Sequence, residues 1–595
     1  MKRIFDILDQ LLEICPDKAD MLCIKEKGNW VKYSVKDYAE MATMTSYGLL
    51  ALGLKKKDLV VTISNNRPEW NIMDMALSMA GIVHVPIYPT ISEEDYTYIL
   101  KNSEPSMVIV SDKGLYEKIM PIAAGVTSIQ HIYTYNEVNN APNWKEILEF
   151  GRKEENNVKM KLKEVMDNIS PDEMVTMIYT SGTTGNPKGV MLSHNNIISN
   201  VLAIAQIFSF NHKHRTLSFL PISHVFERTV NYYFQSVGIS IYFAENMGTI
   251  SENLREVKPH IFTTVPRLLE KTYDKILSKG RDLHGIKKQI FFWAVNLGMK
   301  YKVPTGNSLF YKFRLAIADK LIFSKWREAL GGQIEIIVSG GAALQPRLAV
   351  IFNAAGLPVV EGYGMTESAP VITVNRMPAT GDIRVGTVGL PLPGVEVKIA
   401  EDGEILCKGP NVMLGYFREP ASTAEVIDAD GWLHTGDIGI IVEDRFLKIT
   451  DRKKEMFKLS SGKYIAPQAI ENKLKESQFI EQAMVIGENQ KFASAILSPN
   501  FNFLHNWAMR HNIEFRDNIE LIQIPQVQAR YQRVVIETNK NLGLTEQIKR
   551  FRLVYEEWSP STGELSPTLK LKRKFLMTRY EKIVDEIFSL QKNGD

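Results

Sequence analysis

The sequence predicts an α/β protein: a large N-terminal domain of helix-covered sheets, a β-rich subdomain, and a smaller C-terminal α+β portion. Three observations carry this. At 595 residues the chain exceeds one ordinary hydrophobic core. Short apolar runs alternate with helical patterns through its first two thirds, as parallel sheets require. After about residue 385 the texture changes to shorter strands and many glycines.

Taken in order, Leu59–Ser64 and Ser106–Ser111 read as buried strands within a helix-rich first 170 residues. Glu173–Ile178 reads as a further strand, emptying into Tyr179-Thr-Ser-Gly-Thr-Thr-Gly-Asn-Pro-Lys-Gly189. The theme repeats at Ile261–Val265 and Gln333–Ser339. Gly394–Ile399 and Gly403–Cys407 belong to the β-rich subdomain, and a helix-rich tail begins near Tyr464. In open α/β sheets, ligands sit beyond the carboxyl ends of the strands, where these glycines and hydroxyls fall.

Composition narrows the function classes. The hydrophobic fraction is 45% and the charged fraction 23%, the proportions of a globular protein. Three cysteines, with no Cys/His cluster at metal spacing, argue for a reducing compartment and against a zinc site. Acids interrupt the N-terminal apolar residues, and no run of 18 apolar residues occurs, so a cytoplasmic, non-integral protein is expected.

The net charge of +3 hides an asymmetry. Residues 271–327 hold ten Lys and three Arg against three Asp, a balance of +10, together with nine Phe, Trp and Tyr from Phe291 to Trp326. Ile286, Ile290, Ala294, Leu297 and Tyr301 recur there at helical spacing. Such a helix either lies on an anionic bilayer at the inner face of a membrane or packs on its own protein with solvated lysines. The second is the commoner fate of an amphipathic helix. Nucleic acid is not expected, because the rest of the chain is acidic and no recognition motif occurs.

The loop at 179–189 is the strongest chemical signal. Thr180, Ser181, Thr183 and Thr184 supply hydroxyl donors, Lys188 supplies charge, and Gly182, Gly185 and Gly189 let backbone N–H groups approach an anion. It is not the kinase or GTPase phosphate loop, whose Gly-Lys-Ser/Thr ending is absent. Ser339-Gly-Gly-Ala-Ala343 follows a strand and lets a flat ring approach Gly341 and Ala342. Glu361-Gly-Tyr-Gly-Met-Thr-Glu367 sets Tyr363 between Gly362 and Gly364 for a purine face, with a hydroxyl at Thr366 and a hard oxygen for Mg²⁺ at Glu367. Gly431–Asp437 ends in Asp437, a bidentate acceptor for a sugar diol, and Thr450–Glu455 adds Arg452. Leu220-Pro-Ile-Ser-His-Val-Phe-Glu-Arg228 presents His224 after a Pro turn, with Glu227 beside Arg228 as a local ion pair. Gly563–Lys574 is a basic run.

Together these blocks resemble, in the same order from about residue 20 to 576, the adenylate-forming (AMP-binding) superfamily. Lys453-Lys-Glu-Met-Phe-Lys-Leu-Ser-Ser-Gly-Lys-Tyr-Ile-Ala-Pro-Gln468, the block at Leu220 and the long basic insertion resemble its long-chain fatty acyl-CoA synthetases. The resemblance implies a fatty acid, ATP and coenzyme A as substrates, with Mg²⁺. It implies an adenylation domain over 1–453 and a mobile C-terminal domain over 454–595, with Lys454 as hinge. Lys570, His224 and Thr366 would be catalytic. Thr180–Thr184, Lys188, Gly341, Ala342, Glu361–Gly364, Thr366, Asp437, Arg452 and Lys570 would bind the nucleotide, and Thr183 and Glu367 the metal.

Two departures stand out. Leu569 precedes Lys570 where the family more often has Gly, which keeps Lys572 as an alternative, and the tryptophan gate of some members has no counterpart. Amino-acid adenylation is disfavoured, because the only acid between His224 and Tyr233 is Glu227. An acyl-AMP ligase loading a carrier protein, and a silent nucleotide- or lipid-binding protein, are the remaining alternatives.

Overall fold

In the computed structural model, the residues described are 1–180, 186–559, 562–566 and 570–589. Ser181, Gly182, Thr183 and Thr184 of the expected phosphate loop lie outside them. The chain divides into two compact units. The first comprises Met1–Lys398, Leu406–His434 and Glu443–Leu447; the second comprises Ile399–Ile405, Thr435–Val442 and Lys448–Asp595.

The first unit is built on two large sheets. One has seven strands in the order Gly415–Tyr416, Lys188–Ser193, Met174–Thr180, Val83–Ile87, Leu59–Ile63, Met107–Val110 and His131–Thr134. Leu59–Ile63 runs parallel to both Val83–Ile87 and Met107–Val110. Val83–Ile87 and Met107–Val110 are buried throughout, as a sheet covered on both faces requires. The other sheet has nine strands, with Ile336–Ser339 parallel to both Ile261–Thr264 and Val359–Gly364 near its middle.

Helix boundaries follow from local chemistry. Ser193 caps His194–Ile207, its Oγ accepting from the Asn196 N–H while the Asn196 side chain accepts from the Ser193 N–H. Pro266 occupies the first turn of Pro266–Arg281, where its missing N–H costs no hydrogen bond.

The basic segment corrects one expectation. The helix Gly285–Gly298 buries Phe291, Ala294, Val295 and Leu297, whereas Ile286 is 73% exposed and Tyr301 lies beyond the helix. The buried stripe is therefore rotated from the one read in the sequence.

The second unit contains an antiparallel pair, Ile480–Ile486 with Ser494–Pro499, and Arg550–Leu553 parallel to the latter. The helices Pro467–Leu474, Phe501–Arg510 and Pro525–Asn539 pack on it through Leu474, Phe501, Leu504, Val527 and Tyr531. Short strands occur after residue 385, as the glycine-rich texture predicts. Among the described residues no helix is long and apolar enough to cross a membrane.

Candidate active site

Register brings two of the sequence blocks side by side in the first unit. Ser339 and Glu361 are partners on adjacent parallel strands, so the chain leaves the sheet at Gly340–Ala343 beside Glu361, while the neighbouring strand runs on to Gly364 and turns at Met365–Glu367. Gly341 has φ +79°, the left-handed region that glycine tolerates. A Cβ on Gly364 would fall 1.8 Å from the Pro370 carbonyl oxygen, so no side chain fits there. Glu361 is buried, and its side-chain Oε1 accepts from the Leu344 N–H at 3.2 Å. Burial pushes its carboxyl up to about 8, so it is largely protonated at neutral pH.

The block at Leu220 packs on the same strand ends. A Cβ on Gly340 would meet the Phe226 ring at 3.0 Å. His224 caps the helix Val225–Ser236, its Nδ1 accepting from the Phe226 N–H at 3.2 Å, which fixes the ring's orientation. The preceding turn is pinned by Asn66, whose amide donates to the Leu220 carbonyl at 2.6 Å and accepts from the Ile222 N–H at 2.9 Å. Sequence reasoning missed Asn66. Its signal was a polar residue just past the strand Leu59–Ile63, at a carboxyl end where ligands collect.

Glu227 and Arg228 are not the ion pair their adjacency suggested. Successive helical residues point about 100° apart, and here they enter different polar networks. Glu227 accepts from Ser218 Oγ at 2.6 Å and Thr263 Oγ1 at 2.5 Å, and burial raises its carboxyl to about 7. Arg228 donates to Asp74 and to Thr176 Oγ1, and its Nε reaches Tyr232 Oη at 3.0 Å. Asp74 also holds His84 Nδ1 at 2.6 Å, and His84 Nε2 lies 2.7 Å from Thr62 Oγ1. Burial pushes the Asp74 carboxyl up, but Arg228 and His84 outweigh that and hold it below the usual carboxylate range.

Lys188 opens a strand rather than ending a loop, and pairs across the ladder with Thr180. Its Nζ donates to Ser422 Oγ at 2.8 Å, lies 3.4 Å from Glu419 Oε2, and sits 5.0 Å from the centre of the Tyr416 ring. The hydroxyl of Tyr416 donates to Glu367 Oε1 at 2.8 Å. One tyrosine thus joins the cation of one block to the carboxylate of another. Tyr416 was not legible beforehand, because it reaches the site from a two-residue edge strand. Thr366 and Glu367 are buried in a short 3-10 turn. Glu367 fits Mg²⁺ as a single carboxylate, since that ion takes one or two protein carboxylates beside substrate phosphates. Among the described residues no three His, Cys, Asp or Glu side chains cluster as a metal cage would require.

In the second unit, Arg452 Nε lies 3.2 Å from Asp437 Oδ1, so the two residues expected at one sugar do meet. Lys453 and Glu455 are tied in opposite directions. Lys453 Nζ bonds Asp402 Oδ2 at 2.5 Å and Glu404 Oε2 at 2.8 Å. Glu455 Oε2 accepts from Arg573 Nε at 2.9 Å, and the same guanidinium bonds Glu471 Oε2 at 2.6 Å. Lys454 stands between them in a turn. Lys570 is exposed, and its backbone is held by Ser566, whose Oγ accepts the Lys570 N–H at 3.1 Å and whose N–H donates to the Lys570 carbonyl at 2.8 Å.

Comparison with known proteins finds matches over most of the chain. The family described as AMP-binding enzyme matches residues 12–417, and the AMP-binding enzyme C-terminal domain matches residues 454–592. The long-chain-fatty-acid–CoA ligase FadD15 of Mycobacterium bovis is 30% identical over 580 residues, covering 94% of this chain and 93% of the relative. Long-chain-fatty-acid–CoA ligase 1 of Homo sapiens is 32% identical, covering 94% and 82%. Among solved structures, the adenylation domain of a carboxylic acid reductase from Segniliparus rugosus, in complex with AMP and a co-purified carboxylic acid, superimposes with a TM-score of 0.75 at 19% identity, covering 99% and 94%. The O-succinylbenzoate coenzyme A synthetase of Bacillus subtilis, in complex with ATP and magnesium ion, gives 0.66 at 18% identity, covering 96% and 98%. At those identities the structural matches speak for the fold.

Proposed function

This chain belongs to the AMP-binding enzyme family, in its long-chain-fatty-acid–CoA ligase branch, and from that premise we propose how its own residues divide the work. The reaction is ATP-dependent activation of a long-chain fatty acid, followed by thioester formation with coenzyme A. In the first step a carboxylate oxygen attacks the α-phosphorus of ATP, the bond to the bridging oxygen breaks, and pyrophosphate leaves. In the second the thiol sulfur attacks the acyl carbonyl, AMP leaves with the electron pair, and the thiol proton passes to solvent.

The observation that carries the site assignment is the Lys188–Tyr416–Glu367 arrangement, with a cation and a metal-competent carboxylate on one ring. Two anions must meet in the first step, and fixed positive groups offset their repulsion. In this reading Lys188 holds the phosphates and Thr366 bonds a phosphate oxygen. Glu367, with Thr183, holds Mg²⁺, which when bound supplies positive charge at the phosphates. The Ser339 and Glu361 blocks form the adenine slot, with Gly341, Ala342 and Gly362–Gly364 against the ring. The buried, protonated Glu361 shapes its floor. Asp437 and Arg452 take the ribose diol, His224 stands beside the acyl carboxylate, and Lys570 bridges carboxylate and α-phosphate. A cytoplasmic protein held peripherally at a membrane's inner face, drawing acid from the bilayer, belongs to the same reading.

The test is pyrophosphate and AMP release from ATP with acids from acetate to C18, with and without coenzyme A. Long acids are expected to release pyrophosphate, with AMP and acyl-CoA appearing only when coenzyme A is added. Pyrophosphate release indifferent to coenzyme A would instead support loading of a carrier protein.

Lys454 is assigned as the pivot between the two steps, because ion pairs tie the residues on both sides of it. Proline there fixes φ near −65° and allows one of the two states. Lys454→Pro is expected to slow thioester formation by at least about tenfold while changing adenylation little. Single-turnover acyl-AMP formation, measured beside acyl-CoA formation, checks this; equal loss in both steps would remove the hinge assignment.

A further inference from the structure

The helix Leu309–Ala318 and the π-helical turn Asp319–Phe323 that continues it show one face to the protein and another to solvent. Tyr311 and Leu315 pack toward the core, the Tyr311 hydroxyl donating to the Leu297 carbonyl at 2.7 Å, and Ala318 and Phe323 are buried. On the other face Leu309 is 84% exposed, Phe310 71% and Phe313 65%, with Ile317 and Leu321 exposed beyond them. Positions 310, 313 and 317 follow helical spacing, so the exposed apolar residues form one stripe. A soluble surface scatters such residues singly; a contiguous stripe marks a contact.

The charge around the stripe names the occupant. Lys300, Lys302, Lys312, Lys320 and Lys325 are all exposed. Arg314 lies 5.8 Å from the ring centres of both Phe310 and Trp293. From Gly285 to Lys325 the chain holds one acid, Asp319, and it is paired with Arg327, Oδ2 to Nη2 at 2.9 Å. A second copy of the chain would set this positive field against itself. Nucleic acid would use the lysines and the aromatics but leaves no role for Leu309, Ile317 and Leu321. An anionic bilayer uses both, with apolar side chains at the acyl boundary and lysines among the headgroups.

We propose that Leu309–Leu321 is the element by which this protein docks on anionic membrane surfaces, its long axis in the membrane plane. The inference rests on the proposed function for its purpose, which is to draw a long-chain acid from the bilayer, but the docking itself is measured without turnover.

The experiment is co-sedimentation of the full chain with sucrose-loaded vesicles of phosphatidylcholine, with or without phosphatidylglycerol. Anionic lipid is expected to raise the partition coefficient by about tenfold or more, and raised salt to reverse most of that gain. The double variants Phe310→Ser/Phe313→Ser and Lys312→Glu/Lys320→Glu are each expected to lower partitioning about tenfold, with activity toward a vesicle-free, water-soluble acid unchanged. Partitioning equal to the unsubstituted chain in both variants would overturn the proposal. So would a dimer in sedimentation velocity that Phe310→Ser/Phe313→Ser dissolves, because the stripe would then be a self-association face. If vesicle binding behaves as expected while no acid supports pyrophosphate release, the docking surface stands and the proposed reaction falls.

Discussion

Lys570→Ala is expected to lower acyl-AMP formation by about 10²–10³-fold, the scale of removing one preorganised charge from a developing transition state. The same variant, given acyl-AMP and coenzyme A, is expected to make acyl-CoA at close to the normal rate, because the role proposed for the lysine is at the α-phosphate and not at the thiol. Protein stability provides the control. Lys570 is exposed, and its backbone is held by Ser566 through contacts that alanine preserves. Exposed substitutions of this kind usually change stability by less than about 0.5 kcal/mol. A fall in both half-reactions, or a shifted melting temperature, would point to structural damage. Lys572→Ala is the paired test, since Lys572 is the rival cation in the same run; its backbone N–H bonds the Glu564 carbonyl at 2.8 Å. If Lys572→Ala abolishes adenylation and Lys570→Ala does not, the assignment moves two residues along the chain.

The second large effect concerns folding. Arg228→Met leaves Asp74 buried and charged without its main cation, and removing one partner of such a pair costs about 3–5 kcal/mol. His84 and Tyr232 remain as partners of Asp74, so part of its ionisation is still supported. The double variant Asp74→Leu/Arg228→Met removes both charges and is expected to recover much of the loss. Urea denaturation of Arg228→Met, Asp74→Leu and the double variant measures this, and a double variant as unstable as the sum of its singles would show that the two residues act independently. The expected catalytic consequence is indirect. Arg228 sits one turn beyond His224 on the helix Val225–Ser236, so a loosened helix misplaces the imidazole.

The blocks of the candidate site were legible because they are short segments at strand ends, where residue type and order carry the signal. The blocks at Ser339 and Glu361 are each unremarkable turns until register makes them neighbours. Asp437 and Arg452 were read as one sugar site from sequence, and they meet at 3.2 Å. What sequence could not give was pairing across distance. Glu227 and Arg228 look like partners because they are adjacent, yet a helix turns them apart into networks with Ser218, Thr263, Asp74 and His84. Tyr416 and Asn66 carry no motif of their own; only the folded sheet brings them to Glu367 and to the Leu220 turn. In the basic segment, charge was readable and facing only in part, since Ala294 and Leu297 are buried as read. The core took Phe291 and Val295 but left Ile286 and Phe310 outside.

On the proposed assignment of Lys454 as hinge, the ion pairs on either side of it bear on how the residues beyond it would move. Lys453 is held by Asp402 and Glu404, and Glu455 by Arg573, which also pairs with Glu471, so the residues flanking Lys454 are tied and the two soft backbone torsions of Lys454 itself are not. A joint so restricted sweeps its load along a narrow arc instead of wandering through a volume. Catalytic groups carried on such an arc return to the same place on every cycle, and the search between positions is short. High salt, which weakens part-exposed ion pairs, would widen the arc and blur the timing between the two chemical steps.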